Sequence, residues 1–317
     1  MKTSKIWTVK KRIFWGLLIQ ILIFSTPLVA QEDIAESGET GQAKIEEVKK
    51  IESRILLIEL YGDSVIDKDI NELMNKNWTF NKQLQFVNSE HIPQILKNNE
   101  TKYAVLTPKK IVATIQNAFI GPVNVLFRLT LRLGENYDKV KSVYYQDIDF
   151  HEINNNIRVD DIKHLSKTDI CFSINYIQNH LYARKEGKKR YSGFINEVVE
   201  NQYILENKIL LIDEDKLDKE LNKNDISKYY TFPFKLTNQK EIENAFLTKD
   251  KRYAYVQILP YATAWHIKYH IVVDCETSFI LSFGDFHNGA FDNSFSNEIT
   301  RKHLLSYQKY SCSKKKK

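Results

Sequence analysis

Two kinds of hydrophobic period alternate along the chain. Ile55-Leu56-Leu57-Ile58 and Ile209-Leu210-Leu211-Ile212 are short, continuous apolar runs, the pattern of strands buried on both faces. QLQFVN (83–88) and KYAVLT (102–107) suit a second and third strand after the first run. FPFKLT (232–237) and RYAYVQIL (252–259) do the same after the second. Alternating segments then predict hairpins: VNVLFRLTLRL (123–133) with KSVYYQDIDF (141–150), and WHIKYHIVVD (265–274) with SFILSFGD (278–285), turned at Cys275-Glu276-Thr277. Trp265, Ile267, Tyr269, Ile271 and Val273 share one strand face. Helical spacing appears at Ile45, Val48 and Ile51, and again at Ile170, Ile174, Ile177 and Leu181. Asn88 or Ser89, and Asn238, suit helix N-caps. Lys216–Leu221 suits a helix start after Asp215.

The chain repeats itself. Ile55–Ile58 aligns with Ile209–Ile212 at an offset of 154, and Trp78-Thr79-Phe80 with Tyr230-Thr231-Phe232 at 152. Ile92 aligns with Ile242, Leu96 with Phe246 and Tyr103-Ala104 with Tyr253-Ala254, all at 150. Apolar landmarks in one order, with two short deletions, predict an internal duplication. The expected fold class is α/β, with α+β as the alternative. Two tandem β-α-β-α-β units, each extended by a hairpin, would form mixed sheets packed with helices, with right-handed crossovers. The expected divisions are 1–30, 31–43, 44–165, 166–206, 207–295 and 296–317. In order they are a signal peptide, a flexible N-terminus, the first α/β unit, a helical linker, the second α/β unit, and a C-terminal helix with a basic tail. Gly187 and Gly193 are expected to break the linker helix.

Composition changes this picture mainly at the ends. Lys2, Lys5, Lys10, Lys11 and Arg12 precede the apolar stretch Ile13–Phe24, the Ser25-Thr26-Pro27 break and Leu28-Val29-Ala30. This is the pattern of a secretory signal peptide. The alternative is an uncleaved anchor, since residues 13–30 carry no charge and are just long enough to span a bilayer. The formal net charge is +6; five positives lie in the first 30 residues and four in Lys314–Lys317, so the body between is about −3. A nucleic-acid partner needs a basic face on the fold itself, so none is expected. The basic cluster Arg184, Lys185, Lys188, Lys189 and Arg190 reads as a solvated helix end. Membrane contact is expected only if the N-terminal segment stays uncleaved.

Candidate chemistry is sparse. Cys171, Cys275 and Cys312 allow at most one disulfide, and their spacing does not suit zinc. Cys275 sits between Asp274 and Glu276, whose charges oppose thiolate formation. Asn77-Trp78-Thr79 and Asn99-Glu100-Thr101 match glycosylation acceptors. Asp213, Glu214 and Asp215 end an apolar run and supply hard oxygen ligands of the kind a divalent cation takes. The segment 209–221 resembles the opening of a response-regulator receiver domain, which would place a magnesium ion on these residues. The resemblance stops there: RYAYVQILP offers no acceptor Asp at the end of a third strand. His266 and His270 flank Lys268 on the polar side of a strand, about 13 Å apart by strand rise. That is too far to share one metal, and His287 could join them only through the fold. These five residues are the metal candidates. No catalytic set, cofactor-binding residue or cofactor is expected, since nucleotide, nucleophile-elbow and zincin motifs are absent.

The chain is similar in general layout to exported bacterial α/β repeat proteins of unknown function, a resemblance that implies no activity. The expected role is a non-enzymatic binding or protein-interaction module of the cell envelope, taking an envelope protein or a small ligand. The alternatives are an envelope hydrolase with a site between the repeats, and a membrane-tethered structural protein.

Overall fold

The structure is a computed structural model. It describes residues 45–113, 123–138, 144–153, 166–187, 198, 201–221, 223–260, 268–284 and 298–309. The expected signal peptide, the flexible N-terminus, Lys188–Arg190, Gly193, His266, His287 and Cys312 lie outside the described residues. Gln42–Lys317 is one compact unit.

Each apolar run becomes an interior strand, second from one edge, of a five-stranded mixed sheet. The first sheet holds β1 (Ile55–Leu60), β2 (Leu84–Asn88), β3 (Tyr103–Ala113), β4 (Val123–Leu133) and β5 (Tyr144–Ile153), in the order β2-β1-β3-β4-β5. β1 is parallel to β2 and β3, while β3, β4 and β5 are antiparallel. The second sheet holds β6 (Ile209–Asp213), β7 (Phe234–Thr237), β8 (Tyr253–Pro260), β9 (Lys268–Asp274) and β10 (Ile280–Phe283), in the order β7-β6-β8-β9-β10. Its parallel and antiparallel pairs fall in the same places. Registers agree as well: Ile55 pairs with Tyr103 as Ile209 does with Tyr253, and Leu56 with Leu84 as Leu210 does with Phe234.

The helices are α1 (Ile45–Ser53), α2 (Ser64–Asn77), α3 (Ile92–Leu96), α4 (Lys167–Lys185), α5 (Lys223–Tyr229), α6 (Gln239–Leu247) and α7 (Arg301–Lys309). One core joins α1, α2 and α4 to Leu56, Ile58, Ala104 and Leu106 of the first sheet. It then runs on through α6 to Leu211, Tyr255, Ile271 and Val273 of the second. α5 and α7 cover the far face of the second sheet at Leu210, Ile212 and Val272. α3 covers the far face of the first at Leu57, Val87 and Val105. Both faces of β1 and β6 are thus covered, which is why their sequences are apolar without alternation.

α4 is the middle layer. Its stripe Ile170, Ile174, Ile177 and Leu181 is buried as the spacing predicts, but Cys171, Phe172, Ser173, Asn175 and Gln178 are buried too. Asn175 and Gln178 are satisfied, while Ser173 Oγ has no hydrogen-bond partner among the described residues. Gln178 Nε2 donates to the Asn77 carbonyl at 3.0 Å, and Gln178 Oε1 accepts from the Thr79 and Phe80 amides. Asn175 Nδ2 donates to Ser278 Oγ at 3.0 Å, reaching the hairpin turn of the other sheet. The helix ends at Lys185, with Gly187 at φ +74°, the left-handed conformation in which glycine avoids a Cβ clash.

One local expectation fails. After Asp213 the chain makes a single 3-10 turn, Glu214–Lys216, and helix α5 starts only at Lys223. Leu217 is held in a parallel bridge to Ile299, with Ile299 N donating to the Lys216 carbonyl at 2.6 Å and Asp218 N to the Ile299 carbonyl at 3.1 Å. A long-range strand contact therefore takes the backbone that a helix from Lys216 would need.

At α2 the local signal is met by a side chain the sequence reading did not single out. Asp63 Oδ1 accepts from the amides of Val65 and Ile66 at 2.9 and 3.1 Å. Asp63→Ala is expected to cost about 1 kcal/mol, the usual worth of an N-cap, as a drop in the urea midpoint with unchanged slope. No change in midpoint would mean the cap contributes nothing.

Candidate functional site

In an open α/β sheet, ligands favour the crevice beyond the carboxyl ends of the strands, where neighbouring connections leave on opposite faces. Both sheets have such a point. α2 and α3 lie on opposite faces of the first sheet, and α5 and α6 on opposite faces of the second. The residues there are Glu59 beside Thr107, and Asp213 beside Gln257, by continuation of the β1–β3 and β6–β8 registers.

In the second sheet this place is closed by the chain itself. Asp169, in the first turn of α4, accepts from Gln257 Nε2 and from Ser166 Oγ, both at 2.5 Å, and its amide donates to Ser166 Oγ at 3.1 Å. This is a helix cap turned into a plug. Burial pushes the Asp169 carboxyl above its ordinary value, against these hydrogen bonds and the pull of Lys216. Burial also raises Asp213, and raises Glu243 with help from Asp69 and Asp169. Lys167 Nζ, 3.2 Å from Asp69 Oδ1 and 2.9 Å from Glu72 Oε2, ties α4 to α2 beside them.

A buried carboxyl with a raised value holds its proton in the folded state where the unfolded chain has lost it. Its contribution to stability is full below the unfolded value, near 3.9, and is lost as pH rises through the folded value. Asp169→Asn keeps an acceptor for Gln257 and removes the titration. Its urea midpoint is expected to decline less than wild type as pH rises from about 4. Parallel pH profiles for the two proteins would show that Asp169 carries no such linkage.

The acidic run separates in space. Asp213 is buried, its Oδ1 accepting from the Asp215 amide at 3.2 Å, while Glu214 and Asp215 are exposed. Among the described residues no three His, Cys, Asp or Glu side chains are grouped to hold a metal ion. His270 is buried rather than on a half-exposed face as its polar neighbours suggested. α7 lies over it: His270 Nδ1 is 3.0 Å from the Tyr307 hydroxyl, and its ring stacks on His303 at 3.8 Å between centroids. Gly284 makes room, since a Cβ there would stand 3.0 Å from His303 Cδ2 and 3.1 Å from His270 Cβ. Asp213 shares its sheet face with Leu211 and Tyr255, whereas His270 shares the opposite face with Val272. The second sheet stands between them.

Cys171 and Cys275 are buried free thiols. Burial drives both up, Cys171 to about 11 and Cys275 further, with Asp274 adding to the latter. Neither is an activated nucleophile. Asn77, in one glycosylation-like triplet, is buried, and its Nδ2 donates to the Leu73 carbonyl at 3.1 Å.

The first sheet's crevice differs. Thr107 pairs with Thr130 and Val105 with Arg132, so Leu57, Glu59, Val105, Thr107, Arg128, Thr130 and Arg132 share the α3 face. The Tyr137 hydroxyl donates to Glu59, and burial, then Glu59, raise the phenol. Among the described residues, the buried atoms of this face without a hydrogen-bond partner are Arg132 Nε and Nη1, Thr107 Oγ1 and Glu59 Oε2, and Arg132 is only 9% exposed. Burial pulls the Arg132 guanidinium below its ordinary value, partly opposed by Glu59. Beside the outermost strand, β2, an open cleft of about 510 Å3 is lined by Gln85 and Val87 of this same face, with Asn88, His91, Gln94 and Ile95 around them. The sequence showed Arg132 as one more polar residue of an alternating strand, and its burial had no local signal.

Among the described residues no helix is long and apolar enough to cross a membrane. Compared with known protein families, curated proteins and solved structures, the chain matches none.

Proposed function

We propose that the protein is a non-enzymatic binding module that works in the cell envelope after export, and that its two α/β units arose by tandem duplication. Shared strand order and register support the duplication. The observation that carries the binding reading is the second sheet standing between Asp213 and His270. A hydrolase needs its acid, base and orienting groups converging on one cavity. Here Asp169 and Ser166 close a helix cap, and His270 is packed under α7. The two crevices have diverged into a closed one and one with unpartnered polar atoms. The crevice with unpartnered polar atoms is the ligand surface.

The test is isolation of the C-terminally tagged protein from the envelope fraction of the cell that makes it, with mass spectrometry of its N-terminus and companions. The expected result is a start at Gln31 with a stoichiometric partner or bound small molecule. An intact Met1 would overturn the export reading. Hydrolysis of an envelope polymer by the purified protein would overturn the binding one.

A further inference from the structure

We propose that the face of the first sheet around Arg132 is a carboxylate-binding site, taking the carboxylate group of a small ligand between Arg132 and Thr107. The proposal rests on the binding-module reading and names the ligand class. Its first support is the cost of leaving the site as it is. A guanidinium removed from water is expensive unless paired, and a buried hydroxyl without a partner adds to that cost. Arg132 has two N–H-bearing nitrogens without a partner and Thr107 has its hydroxyl. Glu59, the nearest acid acting on Arg132, accepts the Tyr137 hydroxyl, and its buried Oε2 receives no hydrogen bond among the described residues, from the guanidinium or any other donor.

The two groups are close enough for one ligand. Arg132 stands opposite Val105, and Thr107 is two residues along β3 on the same face. Such a diagonal pair has Cα atoms about 7–8 Å apart, a gap an arginine side chain crosses. A carboxylate has acceptor sites enough for the guanidinium and the hydroxyl together.

The second support comes from the other sheet. By register, Thr107 holds the place of Gln257 and Glu59 that of Asp213. There the vacancy is filled, and what fills it is a carboxyl group: Asp169, received by Gln257 Nε2 at 2.5 Å. α4 supplies that group to the second sheet while presenting apolar side chains to the first. On the first sheet α3 is the helix whose residues join this face, and among the described residues it packs there on Leu57, Val87 and Val105, with Tyr137 beside them. The chain thus supplies a carboxyl group to one crevice, and the crevice that holds Arg132 takes one from outside.

The experiment follows the Arg132 Nε–H resonance of the full mature chain by NMR during titration with acetate, against chloride at equal ionic strength. A urea midpoint is measured in each state. Acetate is expected to shift that resonance saturably and raise the midpoint, and Thr107→Val to weaken binding roughly three- to tenfold, as loss of one hydrogen bond does. Arg132→Met should abolish the acetate effect while raising the midpoint of the ligand-free protein, because it removes an unpaired buried charge. A merely structural arginine would lower that midpoint. An acetate response no different from chloride overturns the proposal. So does binding of inorganic phosphate without acetate, or of a neutral peptide or sugar alone. The last two leave the binding-module reading standing.

Discussion

Lys208→Met is expected to destabilise the fold by about 3–5 kcal/mol, the usual result of leaving one member of a buried ion pair alone. Lys208 Nζ lies 2.7 Å from Asp274 Oδ1, and the two side chains are 9% and 2% exposed. The lysine also donates to the Lys251 carbonyl at 2.6 Å. The attraction is ionic more than directional, since Oδ1 has no aligned donor. The other oxygen, Oδ2, accepts from Thr277 Oγ1 at 2.7 Å and holds the β9–β10 turn. Lys208 immediately precedes β6, so the pair ties that strand to the turn. Asp274→Asn keeps the turn acceptor and removes the charge. The double variant should therefore recover most of the loss, as coupled partners do in a mutant cycle. Urea unfolding of the two single variants and the double settles the matter; additive losses would show that the two charges do not interact.

Phe172→Ala is expected to cost a similar amount, about 3–5 kcal/mol for a large ring removed from a closed core. What distinguishes it is how the loss is distributed. Phe172 is fully buried on α4 in the core that reaches both sheets, so the whole transition should move to lower temperature as one event. Calorimetry with probes in each sheet tests this. Two separating transitions, with only one displaced by Phe172→Ala, would show that the sheets do not depend on one core.

Much of this architecture was legible in the sequence, for reasons that are local. Ile55–Ile58 and Ile209–Ile212 read as doubly covered strands because no polar residue interrupts them. The β9–β10 turn was visible because alternation stops at Cys275. Asn238 announced its helix and caps it, accepting from the Glu241 amide at 3.0 Å. What was not legible depended on partners distant in sequence. Asn175 and Gln178 lie off the apolar stripe of their helix, but each meets a polar partner about a hundred residues away. The helix expected at Lys216 lost its backbone to Ile299. Asp169 has no signal near it in sequence, and only the fold brings Gln257 onto it. Arg132 and Thr107 are polar members of alternating strands, and nothing nearby in sequence marks them as buried.

The middle position of α4 also sets an order of events during synthesis. Its residues, 167–185, emerge after the first sheet's strands and before any strand of the second. A nascent chain that has reached Asn207 can lay α4 on α1, α2 and the first sheet. The side awaiting α6, Tyr255 and Ile271 then stays bare until roughly another quarter of the chain has been made. Over that interval the half-finished protein exposes an apolar strip, and bare apolar surface on partly folded chains drives aggregation and chaperone capture. A ribosome stalled between β5 and β8 therefore presents the most adhesive form this protein has.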